Sequence, residues 1–597
     1  MRRSGTHPGD LDGRFPDAPL DGAALHARVP PSRWCVTSSD LRHFRSVVRR
    51  GVREGDIERT DEDPFDPDDA CIGPSIATVT RQLIAPVTAR FGNPSWALML
   101  HPEGLPCDLF VTHCWMEGVY EFVDKVLHSW PNGAWCAYCC MLSNPQNLDI
   151  SGLVNRPDCS PFAQALRNAR CTLVVPNNKC SVYTRIWCVY EAYLSYSHDK
   201  VILTAARPDR AHWIHACAAL LTLASAFLVG FLALRHQCME MHAWVHMIMS
   251  GAVGTCTATG LLMRPSVATM IVDHVGAALS GFFAAFVYSA VTCESFDFFF
   301  SCVEETDRSV PVLFRSSFGS FIAMGIYFCV READRVRASR RARETAQLRS
   351  GYTGRLQDAQ SSVASDREKI LGEIQEQGLA AEVEQAIKVL MSAGMSTPSL
   401  RAADKRGIDV STAVQWSYAN AYVNWLTFLL SMASTIATGT SCNSGMAWIL
   451  WTFVAEGVFW FVLFANSGYD HRGLITSAWL IFGAIPYMLG LCCAMLAASL
   501  LSWDICEVQC ALDVGMTFTC GPAILAVAWL GVDGTLRLPR VGPALVRFLL
   551  RPDCVQDGWR GLCPTDLAWR KAPACASSSD VDSEDNASNH ESDDSAD

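Results

Sequence analysis

Three sets of residues in this chain have types and spacings that could do chemistry. The first is Arg185-Ile186-Trp187-Cys188-Val189-Tyr190-Glu191, where a guanidinium, a thiol and a carboxylate stand close together. Arg185 is suited to meet a phosphate bidentately. The second set is ionisable or amide side chains inside apolar runs: Asp273, His274, Glu456 and Asp513, with Asn420 and Asn424 one helical turn apart. Such residues either line an ion or proton path or act as polar glue between helices. The third is His236, Cys238, Glu240, His242 and His246. His242 and His246 have a metal-ligand spacing, but the group matches no fixed metal signature, and no metal is expected.

The elements that must position the first set lie between residues 108 and 206. Apolar runs at 108–115, 134–142, 171–176 and 201–205 predict four short strands. Helices are predicted between them at 118–130, 161–170 and 183–196. Ser160 should cap the second of these, with Pro161 at its favoured first position. Strand–helix alternation implies a parallel sheet with right-handed crossovers. The ligand crevice of such a sheet lies at the carboxyl ends of its strands. That edge should gather His113–Glu117, Leu142–Asn147 and Asn177–Arg185.

Four features together resemble a TIR domain. They are the opening strand Asp108-Leu109-Phe110-Val111-Thr112-His113, the long loop after the second strand, the run SPFAQALRNARCTLVVPNN, and Trp187-Cys188-x-x-Glu191 at the third helix. The resemblance covers about a hundred of 597 residues. It implies a flavodoxin-like α/β fold that self-associates or cleaves NAD. In members that cleave NAD, the glutamate of this motif is catalytic, which points to Glu191. Thr112, His113, Trp115, Arg185 and Trp187 would then surround the dinucleotide. A carboxylate suits the chemistry, because breaking the nicotinamide–ribose bond builds positive charge on the sugar. The first apolar helix begins shortly after the fourth strand, so the family's fifth strand and last helices are missing or replaced.

The remainder reads mostly as membrane. Half of the chain is apolar and only 18% is charged, against about 25% in ordinary soluble domains. The net charge of −12 owes most of its excess acid to Ser577–Asp597, a tail expected to be disordered. Eight spans are expected, at 213–234, 243–263, 267–291, 311–330, 418–438, 445–466, 474–500 and 512–531. Arg207, Arg210, Arg264, Arg472 and the arginines of 331–412 then lie on the inner side, with both termini cytosolic. The outer loops would hold Cys238, Cys293, Cys302, Cys442, Cys506 and Cys510, where pairing is possible. The fold class is thus a four-stranded parallel TIR-like domain joined to an all-α polytopic membrane domain.

Three other segments complete the organisation. Residues 1–107 are expected to be mostly irregular. Within them, 40–53 would form a basic amphipathic helix with Leu41, Phe44, Val47, Val48 and Val52 on its apolar stripe. That stripe would meet either the inner leaflet or the α/β domain. Residues 331–412 would continue the fourth span as a basic helix, after which a capping box, Ser365 to Glu368, opens another. Residues 532–597 form the tail. No Walker loop, nucleotide-binding glycine fingerprint or kinase signature occurs.

The leading expectation is an integral membrane signalling protein whose TIR-like domain self-associates or cleaves NAD. The alternatives are a transporter or channel regulated by the α/β domain, and a non-catalytic membrane scaffold. The expected partners are the lipid bilayer and a second copy, with no nucleic acid. No cofactor is required, and NAD enters as a possible substrate.

Overall fold

The computed structural model describes residues 15–414, apart from 17, 150, 180, 209–210, 235–242, 264–265, 293–308 and 362, together with 418, 419, 422, 472–479, 482, 522–539 and 541–550. Its centre is a six-stranded sheet. The strands are β1 (Val36–Thr37), β2 (Leu109–Thr112), β3 (Cys136–Cys139), β4 (Cys171–Val174), β5 (Val201–Thr204) and β6 (Met395–Ser396), in the spatial order β1-β3-β2-β4-β5-β6. The inner four are parallel, and β1 and β6 pair antiparallel at the two edges.

The expected sheet of four parallel strands is therefore corrected to a mixed sheet of six. The four apolar runs form the parallel strands, and the edges come from sequence far outside 108–206. Each edge strand is two residues long, too short to carry an alternating pattern. Both also protect the open edges of β3 and β5 from pairing with another chain.

Three helices connect the parallel strands: Val119–His128, Pro161–Asn168 and Ile186–Ser197. The second is capped as its sequence requires. Ser160 Oγ accepts from the Ala163 N–H at 3.2 Å, and Pro161 occupies the first turn. Preceding all of these is Ser38–Glu54, hereafter α1, so the three crossover helices are α2, α3 and α4 in turn.

Leu41, Phe44, Val47, Val48 and Val52 of α1 are all buried, in the same core as Phe122, Val123 and Val126 of α2. The amphipathic stripe thus faces the α/β unit. Arg45 fixes the register, with Nε and Nη2 2.8 and 2.9 Å from the Asp124 carboxylate and the guanidinium 4.8 Å above the Tyr120 ring. Residues expected to be irregular therefore form one side of the domain. Gly118 at the start of α2 is required by close packing, because a Cβ there would overlap the Ile72 carbonyl.

After β5 come α5 (Ala211–Leu234), α6 (Ala243–Leu262), α7 (Val267–Thr292) and α8 (Ser309–Arg349). Of the eight spans expected, two described helices are long and apolar enough to cross a membrane. These are Ala211–Leu234, with mean hydropathy 2.3, and Val267–Ala290, with mean hydropathy 1.7. Pro522–Leu536 is apolar but shorter. The expected spans at 423–438 and 445–466, and most of 474–500 and 512–521, lie outside the described residues.

The first and third of these helices pack closely. A Cβ at Gly281 would overlap the Leu223 carbonyl. Beyond α8, α9 (Ala364–Glu376) and α10 (Ala380–Ala393) return to the α/β unit and lead into β6. The capping box expected at Ser365 does not form: α9 starts at Ala364, one residue earlier, and lacks a side-chain cap. Asp366 instead accepts from Trp187 Nε1 at 3.2 Å.

Phe44 is fully buried, edge-on to Trp96 at 5.4 Å. Phe44→Ala should therefore destabilise the α/β unit by about 3–5 kcal/mol. Pulse proteolysis across a urea series measures it, and an unmoved midpoint would mean that α1 is not part of this core.

Candidate functional site

The sheet places its crevice by topology. From β2 the chain runs to β3 on one side, and β4 lies on the other. This reversal is the switch point where open α/β sheets bind ligands, beyond the carboxyl ends of the strands. Thr112 ends β2 and pairs with Val174 at the end of β4, so the residues following each of them lie at that edge.

Glu191 comes to this point from α4. It is the sixth residue of that helix, beyond the first turn in which an acid complements the helix dipole. It is only 6% exposed, and Oε2 is buried without a hydrogen-bond partner. Burial raises its pKa from 4.5 to about 7, while Thr112, His113 and Arg185 partly oppose the rise. The Thr112 hydroxyl is near enough to act on the carboxylate electrostatically but lacks hydrogen-bond geometry. An acid poised near neutrality at the switch point of a sheet has the properties of a reacting group.

His113 follows directly from β2 and its side chain is buried. Its Nε2 lies 3.0 Å from Cys140 Sγ, and its Nδ1 lies 3.3 Å from Glu117 Oε1. Burial disfavours the charged imidazole, but Cys140 and Glu191 outweigh it and raise the His113 pKa. Glu117 is held well above the usual carboxylate range by burial and by the nearby Cys114, despite Lys125. A second buried group adjoins these. Lys125 Nζ lies 2.9 Å from Glu121 Oε1, donates to the Pro176 carbonyl at 2.5 Å, and reaches Gln347 Oε1 at 3.2 Å. Asn178 Nδ2 donates to both Glu121 oxygens at 3.2 Å.

The site is covered. The C-terminal part of α8 and the segment after it lie on the loop between β4 and α4. Ser181 N–H donates to Ser350 O at 2.8 Å, Ile186 N–H to Gln360 O at 2.9 Å, and Gln360 N–H to Thr184 O at 2.7 Å. Gln347 also donates to the Asn178 side chain.

The residues singled out from sequence divide accordingly. Thr112, His113 and Glu191 come together, and the Trp115 ring stands 6.4 Å from His113. Arg185 is the N-cap residue of α4. Trp187 turns to Phe162, Tyr190 and Asp366. Asp273 pairs with Arg331 at 2.8 Å, linking α7 to α8. Glu456, Asn420, Asn424, His242, Cys238, Cys293, Cys302, Cys442, Cys506 and Cys510 lie outside the described residues. No group of histidines, cysteines and carboxylates among the described residues is arranged to hold a metal.

Cys140 and the Glu121–Lys125 pair escaped the sequence reading, and Glu117 entered it only as the end of the segment His113–Glu117. The pair has the favourable i,i+4 order, so its spacing was a usable signal. Cys140 meets His113 only through the β2–β3 pairing, which local spacing does not show. No family model matches the chain, and no curated protein or solved structure matches it.

The raised Glu191 acid makes stability depend on pH. The folded state holds this proton more tightly than the unfolded chain, so its contribution is full below 4.5 and is lost as pH rises through about 7. At about 1.4 kcal/mol per pH unit, the loss reaches about 3 kcal/mol. Glu191→Gln should be more stable than the parent at pH 8 by up to that amount and equal to it at pH 4. Urea unfolding at the two pH values measures the difference, and equal differences at both would refute a raised acid.

Proposed function

We propose that this is a membrane-embedded signalling protein whose TIR-like α/β domain cleaves NAD at Glu191. The observation that carries the reading is a buried carboxylate, with an unpartnered oxygen, at the switch point of a parallel sheet. Its inner strand order, β3-β2-β4-β5, is that of flavodoxin-like folds, in keeping with the TIR resemblance. At the position of that family's fifth strand stands β6, delivered from beyond α8.

The chemistry follows from the environment. The bond between the ribose and nicotinamide nitrogen breaks, and its electron pair leaves with nicotinamide. Positive charge grows on the sugar beside Glu191, whose ionised form stabilises it strongly because the surroundings are dry. Water completes the hydrolysis. Ionised Glu191 is the active form, so the rate should rise with pH through about 7.

The membrane reading is supported by the face of α5. Leu221, Leu228, Val229 and Leu232 are 67%, 55%, 62% and 50% exposed, a belt that a bilayer would cover. Asp273 serves in this reading as a helix link through Arg331, and the spans anchor or sense. Reaching Glu191 requires the 347–360 cover to move. That cover ends the helix arriving from the fourth apolar run, so a shift at the bilayer end is felt at the site.

NAD loss from the full chain in nanodiscs, followed by chromatography, tests the reading. Glu191→Ala and Glu191→Gln should each reduce turnover by about 10²-fold or more. Equal turnover in Glu191→Ala, or no turnover by the folded parent, would overturn it.

A further inference from the structure

Beside Glu191 stands a second constellation, which shares His113 with the proposed dinucleotide site and adds a thiol that NAD cleavage does not use. Cys140 is the first residue after β3, at the same carboxyl edge of the sheet. Its sulfur is 3.0 Å from His113 Nε2, and the other ring nitrogen of His113 is 3.3 Å from Glu117. A thiol in contact with an imidazole, with an acid near the imidazole's other nitrogen, is the set of groups that nucleophilic catalysis uses. Cys140 is partly exposed, whereas the neighbouring Cys114, Cys139 and Cys188 are buried. Burial raises the pKa of Cys139 and Cys188 well above normal, so these thiols are inert. An incoming molecule can therefore reach one thiol here, and it is the one with a base attached.

We propose that Cys140 is a nucleophile, served by His113 as base and Glu117 as positioning residue, which accepts an acyl group from an activated ester or thioester. The thiol proton passes to His113 Nε2 as sulfur bonds to the carbonyl carbon. The bond from that carbon to the leaving oxygen or sulfur breaks, and the leaving group takes the proton from His113. The product is S-acylated Cys140. Glu117 Oε1 stands 3.3 Å from Nδ1 without hydrogen-bond geometry in this structure; accepting the Nδ1–H would direct the Nε2 lone pair at the thiol.

The groups facing His113 come from every neighbouring element. Cys140 follows β3, Glu191 and Cys188 belong to α4, and Phe122 belongs to α2. Glu117 and Trp115 lie in its own turn, and Lys125 acts on Glu117 from α2.

The test uses the full chain in nanodiscs with p-nitrophenyl acetate as acyl donor. Peptide mass mapping follows acetylation of Cys140, with the exposed Cys71 and Cys159 as references in the same molecule. A positioned base contributes about 10²-fold or more, so Cys140 should be acetylated at least about 10-fold faster than Cys159 at pH 7. His113→Asn should bring Cys140 down to the rate of Cys159. Glu117→Ala should slow it, and Glu117→Gln, which keeps the carbonyl acceptor, should restore it. A Cys140 to Cys159 ratio near one in the unsubstituted protein overturns the proposal, whatever the variants do to folding. An unchanged ratio in His113→Asn overturns it as well.

Discussion

The structure depends on burying α4 from every side. Nine of its twelve residues are buried, and Glu191 is the one ionisable carboxylate among them. A helix with no polar face must be enclosed. The sheet covers one side and α3 covers part of the flank, with Phe162 5.1 Å from Trp187, but the region 108–206 does not enclose the rest. The chain meets this need from beyond α8: α9 and α10 place Ile370, Ile374, Val383, Ile387 and Leu390 in the same core as Val189, Tyr190 and Tyr193. Tyr190 Oη then donates to Glu373 at 2.8 Å across the interface. One consequence is topological. The apolar helices α5 to α8 are an insertion between the sheet and its own second layer, so these helices and the α/β unit cannot be independent modules.

The same enclosure creates the electrostatics of the site. Glu117, Glu121 and Glu191 are three acids within a dry region that also holds His113 and Lys125. Lys125 is committed to Glu121, the Pro176 carbonyl and Gln347. The remaining positive charge cannot match both other acids, so protons are retained, which is the direction burial imposes on Glu117 and Glu191. Removing any one member would redistribute protons among the rest. Moving the 347–360 cover would admit water and lower the acids together.

Much of the inner sheet could be read from the sequence because each parallel strand is a continuous apolar run, as a strand buried on both faces must be. The Ser160–Pro161 start of α3 was legible from capping chemistry. The stripe of α1 was legible too, but a stripe says only that something apolar meets it, and here that is α2. What could not be read has a common physical character. β1 and β6 are too short for periodicity, and their partners Ala137, Cys136, Ile202 and Leu203 are distant in sequence. Ser365 resembled a cap because its neighbours fit the pattern, yet the contact from Trp187 to Asp366 is tertiary. Glu191 was singled out from its motif and Glu117 stands only four residues from His113, whereas Cys140 comes beside His113 only because the β2–β3 register sets one strand end next to another.

The helix α8 joins the two halves of this picture. It runs without interruption from Ser309 to Arg349. Near its middle, Arg331 meets Asp273 of α7 at 2.8 Å, and a Cβ at Gly260 of α6 would overlap the same guanidinium. At its far end, Gln347 and the residues after it hold Asn178, Ser181 and Thr184. A helix transmits rotation and translation along its axis better than a loop does, because its hydrogen bonds resist bending. A rearrangement at Arg331 that turned α8 would therefore displace Gln347 from Lys125 and Asn178 before disturbing the strands. The site's cover is thus mechanically tied to the apolar helices, while its reacting groups are fixed to the sheet.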